Sequence, residues 1–193
     1  MMRVQIIGAA HQTDSMKRIR TQLGELDKPL REVGALMLGG FKLQFDSEGV
    51  YGTGAKWKAL TAGTKLGREK AGFSAGPILN RSGALKRSWT DKSSPYMAQK
   101  VTNTSITLSS MYTVGKGKHY LGSIQHFGAK FMHPGSNKLQ AWGDVVTHGT
   151  KAHSISIPAR PMMGYDGEIP DDLRGEMNRV LERFIDGFIR QYG

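Results

Sequence analysis

The clearest pattern in the chain is PDDLRGEMNRVLERFIDGFIRQY, residues 170–192. Its apolar residues recur at steps of three and four, which is the spacing of one face of an α-helix. Pro170 suits a helix start, and the two aspartates after it place negative charge where it complements the helix dipole. Burying six large apolar side chains would contribute on the order of 10 kcal/mol before entropy is subtracted. We therefore predict a C-terminal helix that is central to the fold, with a stripe of Leu173, Met177, Val180, Leu181, Phe184 and Phe188, widened by Ile185, Ile189 and Tyr192.

A second helical pattern covers the N-terminal region, residues 13–46. Pro29 interrupts it, and proline is tolerated in the first turn of a helix but not in its middle. We expect a break near Asp27–Lys28 and a second helix that runs to about Phe45. Weak alternation also predicts a short strand over residues 2–8. The apolar stripe of the helical region is Met16, Ile19, Leu23, Leu26, Leu30, Val33 and Met37.

The segment 47–83 shows no apolar periodicity and is rich in glycine, lysine and threonine. We expect an extended arm or loop here, since connections this long in compact proteins tend to be functional or mobile. Residues 84–164 form the predicted sheet region. The elements expected there are a short helix from Arg81 to Trp89, two strands between Tyr96 and Met111 that turn at Asn103–Thr104, a helical segment from Tyr120 to Phe127, an enlarged loop over 129–153 and a strand from Ser154 to Pro158.

These elements predict an α+β fold in a single domain over residues 1–193. A small antiparallel sheet is packed by the N-terminal and C-terminal amphipathic helices, and long Gly-rich loops connect the elements. Hydrophobic residues make up 38% of the chain, which is enough for one modest core.

The charge balance favours an acidic partner. The formal net charge is +11 and the sequence pI is about 9.9, which favours nucleic acid or an acidic surface, although scattered lysines on a soluble protein give the same balance. The chain has no cysteine, which excludes disulfides and thiolate metal sites. No stretch of about 18 apolar residues predicts a transmembrane helix, and the N-terminus does not resemble a secretory signal. We expect the protein to act where it is made, or inside a particle assembled there.

Several motifs suggest chemistry, but none has the context that the chemistry needs. Gly72–Gly76 matches G-x-S-x-G, yet no apolar strand precedes it and Pro77 follows at once. Gly49–Lys56 is similar to a phosphate-binding loop, but Ala55 stands where that motif requires lysine. Histidines at 119, 126, 133, 148 and 153 do not form a metal-binding pattern. We therefore predict no catalytic residue, no cofactor and no metal, and a protein that is not an enzyme.

Other segments follow one another in a fixed order. They are FDSEG (45–49), then Gly54, Trp57, Leu60 and Thr64–Lys65; ILNRSGALKRS (78–88); Tyr120 with IQHFG (124–128); and IPARPMMG (157–164) before the C-terminal helix. As a set they resemble the virion morphogenesis family of tailed phages, the tail-completion proteins of P2-like and Mu-like phages. Two departures are the enlarged segment 129–153 and Met162–Met163, where an aromatic-aliphatic pair is more usual.

The resemblance implies a structural virion protein that acts in tail completion or termination and in head–tail joining. It implies a homo-oligomeric ring, expected to be hexameric, located in the tail or neck and assembled in the host cytoplasm. The expected partners are the tail tube, the connector and packaged DNA, with no membrane contact. The alternative that remains open is a basic nucleic-acid-binding protein without enzymatic activity.

The residues expected to face a neighbouring subunit or DNA are mainly basic and lie mostly in the predicted arm. Arg81, Trp89, Arg160 and Pro161 are interpreted as structural or interface residues, not catalytic ones. The full set proposed for the interface or for DNA is Lys56, Trp57, Lys58, Lys65, Arg68, Lys70, Arg81 and Arg160.

Overall fold

In the computed structural model the chain is described at residue 21 and over residues 26–114, 119–133, 140–142, 145–147, 151–163 and 168–192. Within these ranges helices combine with antiparallel two-stranded ladders, so the predicted α+β class is confirmed. The helices are α1 Asp27–Asp46, α2 Val50–Thr53, α3 Ala62–Lys70, α4 Ala84–Thr90, α5 Leu121–Phe127 and α6 Asp171–Tyr192. The strands are β1 Met97–Val101, β2 Ile106–Ser110, β3 Thr113–Val114, β4 His119–Tyr120, β5 Ala129–His133, β6 Gln140–Trp142, β7 Val145–Thr147 and β8 His153–Ile157.

Helix α1 is the element around which the core is assembled, and it contacts α6, α4 and the β1–β2 hairpin. It begins at Asp27, close to the position at which the sequence predicts the second helix to start, and Pro29 lies in its first turn, where no helical hydrogen bond is lost. The strand expected over 2–8 and the helix expected before α1 lie outside the described residues, apart from positions 21 and 26. The buried residues of α1 are Pro29, Val33, Gly34, Gly40, Phe41, Gln44 and Phe45.

Helix α6 packs antiparallel against α1 and confirms the predicted C-terminal helix. Near its N-terminus, Asp172 accepts a hydrogen bond from the hydroxyl of Tyr51, which lies just beyond the end of α1 (3.2 Å). Just past its middle, Arg183 forms an ion pair with Glu32, which lies near the start of α1 (3.7 Å). The two helices therefore run in opposite directions along their shared contact.

The buried strip on α6 is narrower than the sequence predicts. Leu173 and Val180 are 4% and 6% exposed, whereas Ile185 and Ile189 are 46% and 56% exposed. The prediction that these isoleucines widen the buried stripe is therefore wrong. Helical spacing shows which residues share a face, but the neighbouring helix decides how wide a strip is covered. The remaining members of the predicted stripe with described side chains are half-buried: Met177, Leu181, Phe184 and Phe188.

The close approach of α6 to α1 depends on a glycine. A Cβ placed on Gly40 would lie 2.6 Å from Cδ2 of Leu173 and 3.1 Å from Cε of Met163. One residue earlier in α1, a Cβ on Gly39 would meet nothing within 4 Å. Of these two adjacent glycines, only Gly40 has the position of a Cβ occupied by neighbouring side chains.

Replacement of Gly40 by alanine is expected to lower the free energy of unfolding by about 1–3 kcal/mol, because the added methyl group overpacks the core. Gly39→Ala is the matched control and is expected to be neutral or to stabilise the protein by up to about 1 kcal/mol through its higher helix propensity. Urea unfolding of both variants measures the difference. Equal effects of the two substitutions would contradict the tight α1–α6 contact.

The second side of α1 is covered by α4 and the β1–β2 hairpin. The predicted short helix is confirmed as α4, and the predicted pair of strands is confirmed as β1 and β2, paired from Met97↔Ser110 to Val101↔Ile106. Ser88 of α4 is fully buried, and its hydroxyl donates to the carbonyl of Leu85 while it lies 2.7 Å from the hydroxyl of Ser110. This hydroxyl pair joins the helix to the hairpin.

The segment 47–83 is not only an extended arm or loop, because it contains helices α2 and α3. Helix α3 is capped by Thr61, whose side chain accepts a hydrogen bond from the backbone N–H of Thr64. None of the residues of α3 is buried. Since periodicity detects a helix through its buried stripe, a helix without one leaves no such signal in the sequence.

The segment 129–153, expected to be an enlarged loop, carries strands. Strand β5 pairs with β8 from Ala129↔Ile157 to His133↔His153, and β6 pairs with β7 between them. The predicted strand near Ser154–Pro158 is confirmed as β8, with Ile155 and Ile157 less exposed than their neighbours. Alternation does not reveal β5, because its large apolar residues Phe131 and Met132 are adjacent, whereas β8 alternates isoleucine with serine.

Candidate assembly surfaces

The segment after β8 joins parts of the chain that are far apart in sequence. The carbonyl oxygen of Pro161 accepts hydrogen bonds from Nε2 of Gln44 (2.9 Å) and from Nε1 of Trp57 (3.0 Å). The side-chain oxygen of Gln44 accepts in turn from the backbone N–H of Gly52. Gln44 has no exposed surface, so these bonds replace those that its amide would make with water.

Arg160 extends this junction to helix α5. Its side chain is buried, with Nε and Nη2 donating to the carbonyl oxygen of Lys58 (3.2 and 3.0 Å) and Nη1 donating to Oε1 of Gln125 (3.2 Å). Its backbone N–H donates to the carbonyl of Gln125. Burial, and to a lesser degree the positive charge of Arg68, lower the pKa of Arg160. Arg160 therefore holds three segments of the subunit together.

Two residues expected at the surface belong to the interior. Trp57 and Arg160 are 5% and 6% exposed, and both donate their hydrogen bonds within the chain. The prediction that they face a neighbouring subunit or DNA therefore does not fit their positions in the subunit. Tryptophan and arginine are common both at interfaces and in structured cores. The sequence does not reveal that their N–H groups donate hydrogen bonds to backbone carbonyl oxygens of the same chain. The unusual pair Met162 and Met163 fills the same core.

Arg160→Lys is expected to lower the free energy of unfolding by about 1.5–3 kcal/mol, because lysine cannot replace the fork of charge-assisted hydrogen bonds. Arg81→Lys is the matched control, since Arg81 is exposed and its guanidinium lies over the ring of Phe73 at 4.5 Å. Its loss is expected to change stability by less than about 1 kcal/mol. Urea unfolding measures the free energy of unfolding of both variants. Equal losses of stability in the two variants would contradict the structural role of Arg160.

The side chain of His126 takes part in the hydrogen bonding that holds the core together. Its Nδ1 atom accepts a hydrogen bond from the backbone N–H of Met162 (3.2 Å), so this nitrogen must be unprotonated. Burial lowers the pKa of His126 below its ordinary value of 6.5. Because the pKa in the folded state is depressed, the stabilisation is present above pH 6.5 and is lost as the pH falls through the lower, folded-state pKa.

Lowering the pH from 7 to 5 is therefore expected to destabilise the native protein more than a His126→Asn variant, which lacks the titrating group. The measurement is the urea midpoint at each pH for both proteins, and their difference isolates His126 from the other titrating groups. Parallel pH profiles for the two proteins would show that His126 is not buried in its neutral form.

The basic arm, which we define as Lys56, Lys58 and helix α3 with Lys65, Arg68 and Lys70, lies on the surface. The four lysines are exposed. Arg68 is half-buried, its Nη1 donates to the carbonyl of Pro77 (2.8 Å), and burial together with the nearby charge of Arg81 lowers its pKa. Arg68 thus attaches α3 to the subunit, while the lysines face outward.

A second surface is apolar and is formed by the β5–β8 ladder and the adjoining end of α5. Phe127, Phe131 and Met132 are 78%, 47% and 65% exposed. Phe131 and Met132 are consecutive residues of β5, so their side chains point to opposite faces of the ladder. The ladder therefore exposes apolar side chains on both of its faces.

The serine motif has none of the features of a nucleophile elbow. Ser74 lies in an exposed turn, where its hydroxyl accepts a hydrogen bond from the backbone N–H of Gly76 (3.3 Å), and no strand leads into it. In the described part of the chain, no group of three or more His, Cys, Asp or Glu side chains is arranged to hold a metal ion. No helix among the same residues is both long and apolar enough to span a membrane.

The segments that carry the resemblance are joined in sequence by these contacts: FDSEG packs against Trp57, Trp57 bonds to IPARP, and IPARP bonds to QHFG. The model of the phage virion morphogenesis family matches residues 9–182. The chain belongs to this family, and its role lies in building the phage particle. No curated protein and no solved structure matches the chain.

Proposed function

We propose that the chain is a non-enzymatic subunit of a ring in the tail or neck of a tailed phage, where it completes the tail and joins it to the head. The expected ring is a homo-hexamer that contacts the tail tube and the connector. The observation that carries this proposal is helix α3, which buries none of its residues in its own subunit. A helix of nine residues is marginal in water without packing, so α3 is suited to a partner surface.

A structural role is supported by how the reactive side-chain types are used. His126 accepts a backbone hydrogen bond, Ser74 closes a turn, and Arg160 holds three segments together. Each of these groups is engaged in maintaining the fold. A ring subunit needs such a rigid body, from which arms reach to its neighbours.

The alternative is a nucleic-acid-binding protein, and the exposed lysines of the basic arm favour it. Lys56, Lys58, Lys65 and Lys70 carry four exposed positive charges within fifteen residues of the chain. Binding of DNA through these charges would weaken steeply as the salt concentration rises, because each neutralised phosphate releases counterions. Within a ring, DNA and a neighbouring subunit would compete for binding to the basic arm.

The ring proposal is tested by the mass of the purified protein, measured by light scattering, and by negative-stain images of the particles. The native protein is expected to form closed rings. Reversing Lys56, Lys58, Lys65 and Lys70 to glutamate is expected to give folded monomers, because the arm then loses its complementary partner. A reversal of the exposed Lys92 and Lys100 to glutamate is the control, and it should leave the rings intact.

Two results would overturn the ring proposal. The first is a native protein that stays monomeric at all concentrations. The second is a quadruple arm variant that assembles as the native protein does. A monomer that binds DNA with a steep salt dependence would instead support the alternative.

A further inference from the structure

Three arginines lie close enough at the junction between α3 and the core to influence one another's charge. Burial, and after it the charge of Arg81, lowers the pKa of Arg68. Burial, and after it the charge of Arg68, lowers the pKa of Arg160. Arg81 is exposed, Arg68 is half-buried and Arg160 is buried. We call Arg68, Arg81 and Arg160 the arginine cluster, which extends from the surface into the core.

The loop that follows α3 brings Arg81 to Arg68. The backbone N–H of Phe73 donates to the carbonyl oxygen of Arg68 (2.9 Å), and the ring of Phe73 lies 4.5 Å from Cζ of Arg81. Phe73 therefore contacts both arginines. Its ring covers one face of the Arg81 guanidinium, and a guanidinium donates hydrogen bonds in its own plane, so the edge of the group can still bind a ligand.

The arginine cluster has no counter-charge of its own. No carboxylate in the described part of the chain forms an ion pair with it. The carboxylate of Glu48 accepts a hydrogen bond from the backbone N–H of Ile78 (3.0 Å), and Glu69 directly follows Arg68 in α3, where adjacent residues do not face each other. Like charges that are held close together repel one another, so an anion bound among them would relieve this repulsion.

The donors of the cluster are divided between the fold and the surface. Nε, Nη1 and Nη2 of Arg160 all donate to Lys58 and Gln125, so Arg160 contributes only its charge. Arg68 donates Nη1 to the carbonyl oxygen of Pro77, which leaves Nε and Nη2 for a ligand. Arg81 donates no hydrogen bond to any residue that the structure describes.

We infer that Arg68 and Arg81 together bind one phosphate group, with the charge of Arg160 behind them. The fork of a guanidinium matches the spacing of phosphate oxygens. A phosphate presents oxygens in several directions and can accept from two arginines on different segments, whereas the two oxygens of a carboxylate lie in one plane. The phosphate belongs to the backbone of DNA or is inorganic phosphate. The site lies within a single copy and does not depend on the proposed ring.

The first probe is inorganic phosphate, titrated at constant ionic strength with acetate as the comparison anion. A ligand that binds only the folded protein raises the urea midpoint by mass action, so phosphate is expected to raise it more than acetate does. The apparent dissociation constant for phosphate is expected to rise by about tenfold in Arg81→Gln, and by about threefold in Arg81→Lys, which keeps the charge but lacks the fork. Arg190→Gln removes the same charge from an exposed position on α6 and is the matched control, which should bind as the native protein does.

The second probe is a short fluorescent DNA duplex, followed by anisotropy over a range of salt concentrations. If DNA supplies the phosphate, Arg81→Gln is expected to weaken DNA binding by about tenfold and to reduce the slope of log K against log salt by about one, while Arg190→Gln changes neither. If Arg81→Gln weakens the binding of inorganic phosphate alone, free phosphate is the ligand.

Three results would overturn the phosphate site. Equal losses of affinity in Arg81→Gln and Arg190→Gln would show that net charge alone attracts anions. Native affinity in Arg81→Lys would show that the fork makes no contact, and equal effects of acetate and phosphate in the absence of DNA binding would exclude selectivity for phosphate. Light scattering on the same samples keeps the ring separate: monomers that bind phosphate through Arg81 overturn only the ring, and rings without Arg81-dependent binding of either probe overturn only the site.

Discussion

The fold of the subunit depends on the hydrogen bonds that the carbonyl oxygen of Pro161 accepts. It receives two buried donors, the amide of Gln44 from α1 and the indole N–H of Trp57 from the segment after α2. Proline at 158 and 161 offers no backbone donor, so the chain cannot continue in the β8 ladder and crosses to α1 instead. Loss of this crossing would leave buried polar groups without partners, which costs more than the hydrogen bonds themselves contribute.

A tight turn makes this junction possible. Gly49 adopts a positive φ of 105°, and a Cβ there would lie 2.6 Å from Cδ1 of Trp57. Only glycine allows the indole to lie so close to the end of α1, where its ring meets Phe45 edge to face at 5.6 Å. Beyond this turn the chain passes through α2, returns to the core at Trp57 and then continues into α3.

The molecule has a core that is held together by buried hydrogen bonds, and it has surfaces that its own chain leaves uncovered. This division is consistent with its role in building the phage particle. The core is built from distant segments joined by buried hydrogen bonds, which makes it resistant to change in shape. The surfaces differ in character: a basic helix, a two-stranded ladder with exposed apolar side chains, and a stretch of α6 on which carboxylates and arginines lie side by side.

The sequence by itself determined the elements that have a buried stripe or a strong local signal. These include α1 with its start before Pro29, α4, the β1–β2 hairpin, α5, β8 and α6, as well as the family. It did not reveal α3, none of whose residues is buried, or β5, whose apolar residues Phe131 and Met132 do not alternate with polar ones. Only the tertiary structure decided that Trp57 and Arg160 are internal and that Ile185 and Ile189 are exposed. The reason is that periodicity reports which residues share a face, whereas burial depends on which distant segment covers that face.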